Sequence, residues 1–261
     1  MTQWTALSKT DHAQSLYWPR DGYQFAKNEQ AVPVFLAEIG KFLPHFMLGF
    51  VKDNDHYQPV AITGLGQGNL YLHPEGSWLG SYIPAALRSY PFQLVDNQEG
   101  KQLVCIADGH LTEDPEAKPL FEIDGSLAKP VAETVGFLQE CEKNRQITTA
   151  STQKLADAGV IEDWPLILER GEGQEPLTVN GLHRISEQAL NDLDAETLHA
   201  LRGGPLSLAY AQMFSSHQLG ELTKRAEFLA TYHAQQTVEK PANNFDAMFS
   251  DDEKLIFDFD K

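Results

Sequence analysis

The chain has 261 residues, 42% apolar and 22% charged, an ordinary make-up for a globular protein that buries a core without disulfide or metal staples. Lys and Arg number 20 against 37 Asp and Glu, so the formal net charge is −17. That balance argues against nonspecific binding to nucleic acid or anionic lipid, because both need basic patches.

Two cysteines, Cys105 and Cys141, rule out a disulfide framework and point to a reducing compartment. The first twenty residues have no basic start followed by an apolar stretch, so no secretory signal is expected. No apolar run approaches the roughly 18 residues of a membrane helix. The expectation is a soluble, cytoplasmic protein without membrane insertion.

Residues 1–30 are mixed and aromatic, with Trp4, Tyr17, Trp18, Tyr23 and Phe25. Pro33 suits the first turn of a helix, and Val34, Phe35, Ile39, Phe42 and Leu43 follow at near-helical spacing until Pro44. Residues 45–51 and 57–63 read as strands joined by a turn at 52–55. Beyond the loop 64–69, residues 70–72 read as a third strand. Residues 92–95 and 103–107 form another hairpin around 96–100. Hairpin-length turns of this kind point to an antiparallel sheet.

Residues 108–129 read as a crossing loop. Pro130 begins a long helix with Val131, Val135, Leu138 and Cys141 on one stripe. Leu155, Ala156, Val160 and Ile161 suggest a second helix ending near Gly159. Residues 164–168 and 177–185 form a hairpin around Gly171-Glu172-Gly173. Ser186 caps a short helix, and Gly203-Gly204-Pro205 ends one helix and starts another. Residues 217–233 continue as helix with Leu219, Leu222, Ala226 and Leu229 on one face.

The expected fold is α+β: an antiparallel sheet of hairpins with helices packed on it and a C-terminal helical part. Residues 1–234 read as one unit, divisible into subdomains 1–128 and 129–234. Residues 235–261 read as an acidic, aromatic tail.

No residue pattern spells out a reaction. The stretch Thr63-Gly64-Leu65-Gly66-Gln67-Gly68-Asn69 has the glycines of a phosphate loop, but it leads into a predicted strand and lacks a Walker lysine. It reads as a strand-to-strand turn needing positive φ. None of the nine histidines forms a His-x-x-x-His pair, and neither cysteine belongs to a Cys-x-x-Cys, so no metal and no cofactor are expected. Asp108, His110, Glu113 and Asp114 are the densest group of ligand types and read as a solvated or structural loop. Ser215-Ser216-His217 is no triad, since sequence neighbours do not meet in nucleophile–base geometry.

The most distinctive stretch is 76–92, where Trp78, Tyr82, Arg88 and Tyr90 lie between and beside Pro84 and Pro91. As a ligand platform, Arg88 would grip a carboxylate or phosphate while the rings stack on the rest. As a structural unit, Arg88 would satisfy buried carbonyls and the rings would pack the sheet. A second candidate is the tail: residues 243–261 hold six acids and two lysines, interleaved with Phe249, Ile256, Phe257 and Phe259 among other apolar residues. Their alternation fits a strand that completes the protein's own sheet or docks into a partner.

The 76–92 stretch resembles the signature of the bacterial SapC family: Trp78, Tyr82 with Pro84, then Arg88 with Tyr90-Pro91-Phe92. The resemblance extends over 25–50, Asn69-Leu70-Tyr71-Leu72, 104–108, Pro119-Leu120-Phe121, 177–182 and 206–215. Residues 1–20 and 236–261 lie outside it, and His183-Arg184-Ile185-Ser186 and 215–218 depart from the family pattern. The family takes its name from association with surface-layer proteins. Its genes often lie near outer-membrane receptors, cupin-like oxygenases and flavin-dependent halogenase-like proteins. None of that assigns a reaction; with no cofactor fingerprint and no metal spacing, but an aromatic–arginine platform and an unusual tail, the expectation is a SapC-like non-enzymatic accessory protein. It would bind a protein or peptide partner in a surface-layer, secretion or uptake system through Trp78, Tyr82, Arg88 and Tyr90. The alternative is an enzyme or enzyme subunit beside an oxygenase or halogenase, with the same residues as its pocket. The peptide-transporter permease of the same name must span a membrane and does not fit.

Deleting 241–261 is expected to leave a folded protein. For a docking tail, the melting temperature barely moves while a partner is lost, and salt weakens the intact contact. A truncated chain that cannot be recovered soluble would make the tail part of the core.

Overall fold

The computed structural model describes residues 3–66, 68–97, 100–168 and 175–238. In chain order come β1 (Trp4–Ala6), β2 (Leu16–Tyr17), β3 (Ala31–Pro33), α1 (Ile39–Phe42), β4 (Met47–Asp53), β5 (His56–Ile62), α2 (Ala85–Arg88), β6 (Phe92–Asp96) and β7 (Gln102–Ala107). Next are β8 (Leu111–Thr112), β9 (Lys118–Pro119), α3 (Lys129–Asp157), β10 (Ile161–Asp163), β11 (Leu166–Leu168), β12 (Leu177–Val179) and β13 (Leu182–Ile185). The chain ends in α4 (Glu187–Asn191), α5 (Ala195–Ala200), α6 (Gly204–Ser215) and α7 (Leu219–Val238).

The fold is α+β, as expected, with antiparallel strands and a helical C-terminal part. The strands divide among a five-stranded sheet in the order β10-β13-β4-β5-β3, a three-stranded sheet β1-β7-β6, and two small ribbons, β8-β2-β9 and β11-β12. The hairpin of β4 and β5 closes through Asn54 and Asp55, with Asp53 opposite His56, and Asn54 takes the left-handed backbone that Asn tolerates.

Two apolar clusters fill the interior. The larger joins the five-stranded sheet to the helices through Phe42, Phe46, Leu48, Phe50, Leu155, Leu208 and Leu222. The smaller gathers Tyr17, Phe92, Ile106, Leu120, Val131 and Leu138 against the three-stranded sheet. A fully buried side chain of this size contributes about 1.5–3 kcal/mol. Helix α3 serves both clusters: Val131 and Leu138 enter the smaller, Leu155 the larger.

Several sequence expectations need correction. Pro33 ends β3 and does not open a helix. It sits on an edge strand, where its missing N–H removes no sheet bond, and helical structure begins at Leu36 as a short 3₁₀ turn. Residues 70–72 are a turn. The Asn69 side chain accepts from the Tyr71 N–H at 3.0 Å and donates to the Ala26 carbonyl, leaving a single bridge between Leu72 and Trp78. The two helices expected over 130–161 are one helix of 29 residues. Thr148, Ser151 and Thr152 are buried in its C-terminal half and bond back to the carbonyls of Asn144, Ile147 and Thr148, so polar residues interrupt the apolar stripe without interrupting the helix. Gly181, at φ +84°, splits 177–185 into β12 and β13, which belong to different sheets. The turn expected at 171–173 and the tail 241–261, with Phe249, Ile256, Phe257 and Phe259, lie outside the described residues.

The glycine loop 64–69 has a structural cause. A Cβ on Gly64 would lie 1.9 Å from the Gly68 carbonyl oxygen, so two backbone segments touch where only glycine fits.

Helix α6 finishes a ladder that the strands leave open. β13 pairs with β4 only at Leu182 opposite Val51 and His183 opposite Phe50. Beyond that point the Ile185 N–H donates to Gln212 Oε1 at 2.9 Å and the Leu48 N–H donates to Ser215 Oγ at 2.8 Å. Replacing Gln212 with Leu strands a buried N–H, so stability is expected to fall by about 1–3 kcal/mol. Thermal melting checks this; an unchanged midpoint would refute it.

Candidate functional site

A buried polar cluster centres on Glu38, 7% exposed. Its carboxylate accepts from the Phe35 N–H at 2.9 Å, the Tyr82 O–H at 2.8 Å and the Ala85 N–H at 2.9 Å. The first bond caps the 3₁₀ turn Leu36–Glu38; the last caps α2 from 47 residues away. Arg88, at the end of α2, turns back on the same group. Its Nε donates to the Ile83 carbonyl at 2.8 Å, its Nη2 donates to Tyr82 Oη at 2.6 Å, and Nη2 lies 3.9 Å from Glu38. The guanidinium also lies over the Tyr82 ring, 4.9 Å from its centroid.

This frame borders an open cleft of about 580 Å³. One side is the edge strand β3, through Val32 and Pro33; the other is the edge strand β6, through Phe92, Gln93 and Leu94. Ala85, Ala86 and Leu87 of α2 and Leu138, Cys141, Glu142 and Arg145 of α3 complete it. Tyr90 stacks on Phe25 with centroids 3.9 Å apart, and Trp4 and His110 meet Tyr90 edge-on. Tyr90, Phe25 and Trp4 are the cleft's aromatic wall.

The charges around the cleft are unevenly committed. Arg145 holds Glu142 with two bonds of 2.6 and 2.7 Å, which lowers the carboxyl pKa and raises that of the guanidinium. Glu29 stands exposed at the cleft with no ion pair among the described residues. Burial, and then the charge of Glu38, pushes the Cys141 thiol up to about 11, so it stays protonated at neutral pH and is a poor nucleophile. Burial and the bond to Glu38 push Tyr82 up to about 12.

Among the described residues no group of three His, Cys, Asp or Glu side chains is placed to hold a metal ion. Asp108 accepts from the Thr5 hydroxyl at 2.5 Å, and His110 Nδ1 lies 2.7 Å from the Trp18 carbonyl, so both tie this loop to the N-terminal segment. No described helix is long and apolar enough to cross a membrane.

A model of the SapC family matches residues 7–222, a span that holds the Glu38 frame, Phe25, Tyr90 and both edge strands. The chain belongs to the SapC family. The motif at 76–92 led to the same assignment. No curated protein and no solved structure matches the chain.

In this SapC chain the four residues singled out in the motif do not form one platform. Trp78 is half-buried against Tyr23, Phe46 and Tyr71, with its indole N–H on the Tyr82 carbonyl at 2.9 Å, so it packs the core. Tyr82 and Arg88 belong to the Glu38 frame. Arg88 meets a backbone carbonyl, as the structural interpretation expects, but with 37% of its side chain exposed it is no buried donor. Tyr90 alone of the four lines the cleft. Glu38, Phe25 and Arg145 were missed as site residues. Phe35 and Glu38 stand at capping-box spacing, but Phe35 lacks the Ser or Thr side chain that makes the pattern recognisable.

Tyr82 and Tyr71 both have folded-state pKa values pushed to about 12, above the ordinary 10.0. The folded state therefore keeps these protons longer than the unfolded chain. Their stabilising effect is complete below pH 10.0 and is lost as pH rises through about 12. Melting temperature against pH is expected to fall across this window, and Tyr82→Phe to flatten part of the slope. A slope that Tyr82→Phe leaves unaltered would show that this phenol does not contribute.

Proposed function

We propose that this SapC protein is a non-enzymatic accessory protein that binds a protein or peptide partner through the cleft between β3 and β6. The observation that carries this is the wall of Trp4, Phe25 and Tyr90 beside an open, largely apolar trough. Ring packing already fixes these side chains, so little side-chain entropy is lost when a partner covers them. The groups around the trough are chemically quiet: the thiol is protonated, and Arg145 is tied to Glu142. Trp78, Tyr82 and Arg88 act in this proposal as the support behind the binding wall. The setting, a surface-layer, secretion or uptake system, comes from the associations of the family.

One observation favours a second reading, an enzyme or enzyme subunit working with an oxygenase or flavin-dependent halogenase-like partner. The cleft volume of about 580 Å³ falls in the range of small-molecule sites, about 300–1,000 Å³.

The test is affinity capture from the native cell with the intact chain and with Tyr90→Ala, using Ile147→Ala on the exposed face of α3 as control. The expected result is a partner held by the wild type and the control and depleted at least about tenfold by Tyr90→Ala, with the fold retained by circular dichroism. Equal recovery by Tyr90→Ala would move the binding site elsewhere. A co-purifying small molecule lost in Tyr90→Ala would favour the second reading.

A further inference from the structure

We infer that the occupant of the cleft is an extended, basic segment of the partner, added to β6 as a further strand; this rests on the cleft being the binding site proposed above. The hydrogen-bond pattern of the hairpin indicates which backbone groups face the cleft side. The Ala107 N–H donates to the Pro91 carbonyl, and the Asn97 N–H donates to the Lys101 carbonyl. With Gln93 opposite Cys105 and Val95 opposite Leu103, the odd-numbered residues of β6 turn their main chain toward β7. Leu94 therefore turns its N–H and carbonyl away from β7, at the open edge of the sheet. No described residue pairs with either group. Leu94 also lines the cleft, so the same trough offers main-chain bonds and an apolar wall. Strand addition uses this combination: backbone bonds hold the added strand, and alternate side chains enter the surface beside it.

Charge selects the occupant. The cation among the residues that line the cleft, Arg145, is already paired with Glu142, whereas Glu29 has no ion pair among the described residues. An arginine or lysine on the added strand meets both this carboxylate and aromatic rings, and the charge of the whole chain, net −17, reinforces the attraction. The chain's own tail has the wrong sign. Residues 239–261 carry seven acids against three lysines, so a strand from this segment would bring like charge to Glu29.

The full-length chain is titrated with four labelled synthetic peptides, followed by fluorescence anisotropy. They are an acetylated heptapeptide of alternating valine and arginine, its glutamate counterpart, the arginine peptide N-methylated at its central residues, and the tail segment 241–261. The arginine peptide is expected to bind at least about tenfold more tightly than the glutamate and N-methylated peptides. Glu29→Gln is expected to weaken the arginine peptide by about two- to fivefold. Tyr90→Ala is expected to abolish its binding. Equal binding of the arginine and glutamate peptides, or tighter binding of the tail, overturns the charge assignment. Undiminished binding of the N-methylated peptide overturns strand addition. In those cases sensitivity to Tyr90→Ala still upholds the cleft. Binding of the arginine peptide that ignores Tyr90→Ala places it outside the cleft and overturns the inference. Failure of every peptide to bind also overturns it, and the capture experiment then decides separately whether the cleft binds a partner at all.

Discussion

A carboxylate taken out of water must have its oxygens filled, and the way Glu38 fills them sets the geometry of the whole cleft. Its three donors come from two places far apart in sequence: the turn that follows β3, and the segment that leads into α2. Neither is stable alone. A four-residue helix is far below the length at which helices persist in water, and the 3₁₀ turn is shorter still. Glu38 gives each of them a hydrogen-bond partner and fixes their separation. Arg88 and Tyr82 close the arrangement on the solvent side, where the guanidinium balances part of the buried charge. Removing only one member of such a group leaves unpaired polar atoms, which costs more than the intact contact contributes.

The cleft exists because two sheets end near one another without joining. β3 closes one edge of the five-stranded sheet and β6 one edge of the three-stranded sheet, and α3 runs past both apolar clusters. An exposed edge is a liability that proteins usually cover, shorten or charge. Here the edges border a trough with aromatic rings on its wall, an arrangement suited to a partner segment that supplies the missing strand. Membership of the SapC family covers the residues that build the frame and both edges, and leaves Trp4 and the tail outside the matched span.

Local chemistry made much of the fold legible. The hairpin of β4 and β5 was readable because apolar runs flank a polar turn, and the cap at Ser186 because serine is a favoured N-cap residue, its side chain here accepting from the Ala189 N–H. The start of α6 was readable from Gly203-Gly204-Pro205, whereas its end at Ser215, before the short turn that leads into α7, was not. Pro33 misled because the same fixed φ suits both a helix start and an edge strand, and only the position of β3 at the sheet edge decides between them. α3 was read as two helices because Thr148, Ser151 and Thr152 are polar, although their hydroxyls bond within the helix. Of the candidate site residues, the motif at 76–92 marked the right region, but a motif carries no direction: Trp78, Tyr82 and Tyr90 point to three different surroundings.

The sequence by itself determined the family, the α+β class, the hairpins and the starts of α3, α4 and α6, because these follow from periodicity, turn chemistry and residue order. Tertiary structure decided which rings line the cleft, which carboxylate organises it and which charges remain unpaired. Glu38 meets Tyr82 and Ala85 more than forty positions away, and Trp4 and Phe25 meet Tyr90 across still longer separations. Such contacts depend on how sheets and helices pack around a common core, and no local pattern records them.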